Sequence, residues 1–149
     1  MTDNASPHVV IERVLPGSPE EVYAAWTTPE TMRLFMCPYD MTAPVVEADV
    51  RVGGRFRVVM SDGARDSEHR GEYRVLEPGR RLVFTWASAA TGWAATLVTI
   101  ELSPHEDGTR LVLVHEDLTG DDMRGAHRRG WTGIIEKLAR QRANRKENT

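Results

Sequence analysis

The chain has 149 residues, of which 40% are hydrophobic and 28% charged, and a formal net charge of −3. This is the make-up of one soluble globular domain large enough to bury its own core, and its mild acidity argues against bulk attraction to nucleic acid or anionic membranes. The single cysteine, Cys37, excludes an internal disulfide and fits a reducing, cytoplasmic compartment. The opening MTDNASPH has no signal-peptide character, and no apolar run approaches the roughly 20 residues that cross a bilayer.

Residues 1–7 are expected to be disordered, 8–142 to form the domain, and 143–149 to be a flexible basic tail. His8 to Leu15 alternates as a strand, with Val9, Ile11 and Arg13 on one face and Val10, Glu12 and Val14 on the other. Ser18-Pro19-Glu20-Glu21 then opens a helix: Ser at the N-cap, Pro at the first helical position, Glu placed to complete a capping box. Val22, Ala25 and Trp26 supply its apolar stripe. Thr28-Pro29-Glu30 repeats the cap-and-proline signal and opens a second short helix through Leu34.

Strands and turns follow. Val45 to Val50 reads as a strand, and Gly53-Gly54 as a bend or bulge. Phe56, Val58 and Met60 point one way, Arg55 and Arg57 the other. Ser61-Asp62-Gly63 is a turn. His69, Gly71, Tyr73 and Val75 then alternate with Glu68, Arg70, Glu72 and Arg74, giving one buried and one wet face. Glu77-Pro78-Gly79 is a hairpin turn, after which Leu82, Phe84 and Trp86 share a face. Ala87 to Gly92 is a small-residue loop. Val98, Ile100 and Leu102 lie on the next strand, Pro104 to Gly108 turn, and Leu111, Leu113 and His115 line one face of the last strand. From Asp121 the period becomes helical, with Met123, His127, Gly130, Trp131, Ile134 and Leu138 on one stripe. The basic residues beyond it, including Arg140 and Arg142, read as a solubilising, frayed helix end.

Strand, two helices, about six antiparallel strands and a final helix of roughly 20 residues make an α+β fold. A helix of that length with one apolar stripe must lie across the sheet, and a sheet gripping a helix can enclose a cavity. The order resembles the helix-grip fold of the START-like, or Bet v 1-like, superfamily. Within it the chain is similar to homologues of the heat-shock-protein-90 ATPase activator's C-terminal domain. The resemblance rests on SPEEVYAAWTTPE, GGRF, GEYRVLEPGRRLVFTW, GTRLVLVHEDL and the GW helix, in that order, and covers about His8 to Arg140. It implies a curved antiparallel sheet of six to seven strands around the last helix, with a hydrophobic cavity between them. It leaves function open, because the superfamily includes lipid carriers, hormone receptors and polyketide cyclases.

Candidate ligand-binding residues follow from the inward faces. Trp26, Phe56, Phe84, Trp86 and Trp131 are either pocket walls or ordinary core, and Val58 and Val98 share those faces. Met36, Met60 and Met123 add adaptable apolar surface. His69, His115 and His127 could converge in the cavity with Tyr73 as orienting or acid–base groups, or be separately hydrogen-bonded in the core. Gly130 either widens the cavity or lets helix and sheet approach. His8 and His105 look exposed, and Cys37 looks like an inert, semi-buried thiol.

No metal-ligand spacing, nucleophile motif or phosphate-binding loop is present, so no metal, cofactor or catalytic residue is assigned. The expected function is binding of a small hydrophobic or amphipathic molecule, such as a lipid, with neither nucleic acid nor membrane insertion involved and a homodimer left open. A cyclase- or aromatase-like enzyme using the cavity His and Tyr, and a chaperone-activator-like interaction module, are the alternatives.

Overall fold

The computed structural model describes residues 8–147, with side chains through residue 144. The segment 1–7 and the end of the basic tail lie outside the described residues. Strand β1 (Val9–Leu15) leads into helix α1 (Pro19–Thr27). The Ser18 hydroxyl accepts from the Glu21 amide at 3.1 Å while the Glu21 carboxylate accepts from the Ser18 amide at 2.9 Å, completing the capping box. Helix α2 (Pro29–Phe35) follows directly. Its expected cap is absent: the Thr28 hydroxyl donates backwards to the Ala24 carbonyl at 2.7 Å, so it closes α1 and leaves proline alone to start α2.

The remaining strands are β2 (Thr42–Ala48), β3 (Arg55–Ser61), β4 (Asp66–Glu77), β5 (Arg81–Ser88), β6 (Thr96–His105) and β7 (Gly108–Glu116). They form one antiparallel, curled sheet in the order β1-β7-β6-β5-β4-β3-β2, with irregular register between Thr42 and Val45 and between Tyr73 and Val75. β2 begins and ends earlier than the residue pattern suggests. Its end is set by a turn in which the Gly54 amide bonds the Arg51 carbonyl at 2.8 Å, which leaves Val50 at the surface. The expected small-residue loop after β5 is partly strand, through Ser88, and partly a single 3₁₀ turn, Ala89–Thr91, capped by the Ser88 hydroxyl.

Helix α3 (Asp121–Glu147) is 27 residues long, longer than the apolar stripe alone predicts. Trp131, Ile134, Ile135 and Leu138 are buried in the same core as Ile100, Leu111 and Leu113. Fully burying such a side chain contributes about 1.5–3 kcal/mol, which is what holds the helix against the sheet. The far end is anchored as well. Arg142, expected at a solvated helix end, is only 6% exposed, with its guanidinium 3.3 Å from the Glu21 carboxylate and 3.5 Å from the Pro16 carbonyl. His105 is exposed as expected, whereas His8 is half-buried.

Candidate functional site

Between sheet and helix lies a cavity of about 220 Å³. Met60, His69 and Trp86, on the successive strands β3, β4 and β5, form one wall. Gly130, Trp131 and Ile134 of α3 form the facing wall, and Pro38 and Met41 close the side between α2 and β2. Ser67, Ala90 and Ala126 line it while remaining exposed, and so mark its mouth. Among the described residues, no lysine, arginine or carboxylate lines it. A hollow of about 490 Å³ bounded by Glu47, Asp49, Arg55, Arg57 and Arg70 is larger, but it is a charged surface rather than an apolar receptacle of the kind small molecules occupy.

The two tryptophan walls are held by one hydrogen-bonded chain. Their rings lie 4.9 Å apart at 52°. The Trp131 indole N–H donates to His115 Nδ1 at 2.9 Å. That bond requires a lone pair on Nδ1, so the neutral ring carries its proton on Nε2. Nε2 lies 2.7 Å from the Thr96 hydroxyl and donates to it, and that hydroxyl donates to the Trp86 carbonyl at 2.7 Å. His115 is fully buried. Burial, and secondarily the nearby His127, push its pKa down to about 3. It is a neutral, fully bonded bracket behind the wall.

His69 and His127 do face the cavity. The His69 ring stacks on Trp86 at 4.8 Å. Burial is the main force pushing its pKa down to about 4; the Val58 and Ser67 carbonyls act in the opposite sense. Neither satisfies Nδ1, which is buried without a hydrogen-bond partner. His127 donates its Nδ1–H to the Met123 carbonyl at 2.9 Å, which in the neutral form of the ring puts the lone pair on Nε2.

Of the candidate residues, the cavity thus gathers Met60, His69, Trp86, His127 and Trp131. The others stand outside its lining. Phe56, Tyr73 and Phe84 pack together deeper in the sheet, with Phe56 ring centroids 5.4 Å from Tyr73 and 5.3 Å from Phe84. Trp26 packs edge-on to Phe35 at 5.0 Å. Met36, Val58 and Val98 are buried core, and Met123 is half-buried. The Tyr73 hydroxyl and Trp26 indole N–H are buried without partners, and burial raises the Tyr73 pKa.

Pro38 and Met41 were not among the candidates, because they sit in an irregular segment without periodicity. Ala126 was detectable, since it lies four positions before Gly130 on the same helical face. Cys37, which has no cationic neighbour in sequence, is buried and meets the Lys137 ammonium at 3.2 Å; that ammonium also bonds the Met41 carbonyl at 3.0 Å.

A sequence profile described as Activator of Hsp90 ATPase homolog 1-like protein matches residues 16–141. No curated protein matches the chain. Among solved structures it is similar to a protein from Chromobacterium violaceum (26% identity, TM-score 0.79, covering 91% of this chain and 96% of that one). It is also similar to the AHSA1 protein from Silicibacter pomeroyi (25% identity, TM-score 0.81, 93% and 99%). An AHSA1-like protein from Aeromonas hydrophila shares the fold at 22% identity and TM-score 0.70, over 89% of this chain and 90% of that one.

Proposed function

The chain belongs to the Activator of Hsp90 ATPase homolog 1-like family, and we propose that it holds a small apolar or amphipathic molecule between its sheet and its last helix. The observation that carries this reading is the cavity of about 220 Å³ with apolar walls and few polar groups. A folded domain ordinarily fills such a space with side chains. Here α3 presents Gly130, and a Cβ built on it meets nothing within 4 Å. Of the two roles considered for this glycine, leaving the cavity open is the one its surroundings support.

A cyclase-like reaction draws less support. Of His69, Tyr73, His115 and His127, only His69 and His127 line the cavity, and no carboxylate among the described residues lines it to orient them. A cytoplasmic location is supported by the buried free thiol of Cys37.

A thermal-shift screen of small apolar molecules against the wild type and Gly130→Leu tests the reading. Compounds that stabilise the wild type should lose their effect in the variant, whose added side chain occupies the cavity. Equal stabilisation of both proteins would refute it.

A further inference from the structure

The cavity's dimensions and lining narrow the ligand class. A dry engineered cavity of about 150 Å³ admits benzene. A volume of about 220 Å³ therefore has room for a second fused ring but is too small to enclose a sterol. Two indoles meet where the sheet and helix walls converge, their ring centroids 4.9 Å apart, and together present one aromatic surface, with the His69 ring stacked on one of them. Met41 and Met60 add polarizable thioethers. Such walls favour a flat π system, through ring–ring and sulfur–aromatic contacts, over a flexible aliphatic one.

The polar groups narrow it further. With no lysine, arginine or carboxylate among the described residues of the lining, a buried carboxylate or ammonium would lack a permanent counter-charge. The Lys137 ammonium, close by, is already directed at the Met41 carbonyl and the Cys37 sulfur. His127 offers a lone pair on Nε2, because its Nδ1–H is committed to Met123. His69 Nδ1 is fully buried, so His69 contributes its ring rather than that nitrogen. A hydroxyl group can donate its one proton to the His127 Nε2 lone pair. A ketone or ether has no proton for His127.

We infer, building on the ligand-binding reading above, that the cavity takes a compact, uncharged one- or two-ring phenol or aromatic alcohol whose hydroxyl donates to His127. Isothermal titration of the full chain with 2-naphthol, naphthalene, 2-naphthoate and decanoate tests this. 2-Naphthol should bind about tenfold more tightly than naphthalene, with both acids weaker still. His127→Phe keeps a ring on the half-buried face of α3 but removes the acceptor. It should bring 2-naphthol close to naphthalene, both measured on the variant. Tightest binding of 2-naphthoate or decanoate would overturn the uncharged aromatic class while leaving the binding reading intact. Binding of none of the four would overturn the class as well, and the broader reading would then rest on the Gly130→Leu screen. A gap between 2-naphthol and naphthalene that survives His127→Phe would overturn the assignment of the hydroxyl to His127.

Discussion

The Trp131 indole donates to His115 Nδ1 across 2.9 Å, and both side chains are closed to solvent. The pair fixes one wall of the cavity and one histidine tautomer at once. Replacing His115 by Leu strands the indole N–H in an apolar site, and a buried unsatisfied donor costs about 1–3 kcal/mol. Urea denaturation of His115→Leu should show a loss of that size. Trp131→Ala, which also removes packing, should cost about 3–5 kcal/mol. A loss near zero in either variant would show that this bond does not hold the wall.

The two buried histidines make stability depend on pH with a definite sign. Folded pKa values of about 4 for His69 and about 3 for His115 lie below the ordinary 6.5. Between those limits the unfolded chain binds protons that the folded chain does not, so acid favours unfolding. Their contribution is flat above pH 6.5, then falls by up to about 1.4 kcal/mol per pH unit for each histidine. By pH 5 the loss should be roughly 2 kcal/mol for each. The lowered carboxylates, Glu21 and Glu68 among them, add to the slope only below about pH 4.5. Denaturation midpoints from pH 7 to 5 should therefore drop, and His115→Leu should flatten the drop by about half. An unchanged slope in that variant would contradict the neutral, buried assignment.

Gly71 of β4 faces Phe56 across the sheet. A Cβ there would lie 2.0 Å from the Thr85 carbonyl oxygen and 2.3 Å from the Phe56 ring. The oxygen belongs to the neighbouring strand's backbone and cannot step aside. Gly71→Ala should destabilise the protein by about 3 kcal/mol or expel it from the soluble fraction. A thermal unfolding midpoint equal to that of the wild type would show that the strands part more easily than their spacing implies.

Gly130 is the opposite case. It sits in the interior of α3 with open space before it, so Gly130→Ala should add up to about 1 kcal/mol through helix propensity. Chemical denaturation measures the gain. A loss would mean that the cavity closes around this position in solution.

These residues show how far the sequence reaches. The alternation of Phe56, Val58 and Met60, and of Leu111, Leu113 and His115, was enough to place inward faces, because side-chain direction in a strand follows local period. The capping box at Ser18 was equally local. Period gives the face but not the depth, so Tyr73, Phe84 and His115 were grouped with Met60 and Trp86 although they lie behind the cavity surface. Nor does period reach the irregular segment carrying Pro38 and Met41. The Cys37–Lys137 contact joins positions 100 residues apart, and the Arg142 clamp reaches back to the loop before α1. Both exist only once the long helix crosses the sheet.

Tryptophan indole resonances give the most direct test of the cavity as a binding site. Trp86 and Trp131 line it, whereas Trp26 is packed in the core and Trp93 is exposed on a loop. In proton–nitrogen correlation spectra of nitrogen-15-labelled protein titrated with 2-naphthol or another stabilising compound, the Trp86 and Trp131 indole signals should move together, saturably. Those of Trp26 and Trp93 should stay in place. Saturable movement of Trp93 with Trp86 and Trp131 unchanged would contradict the account.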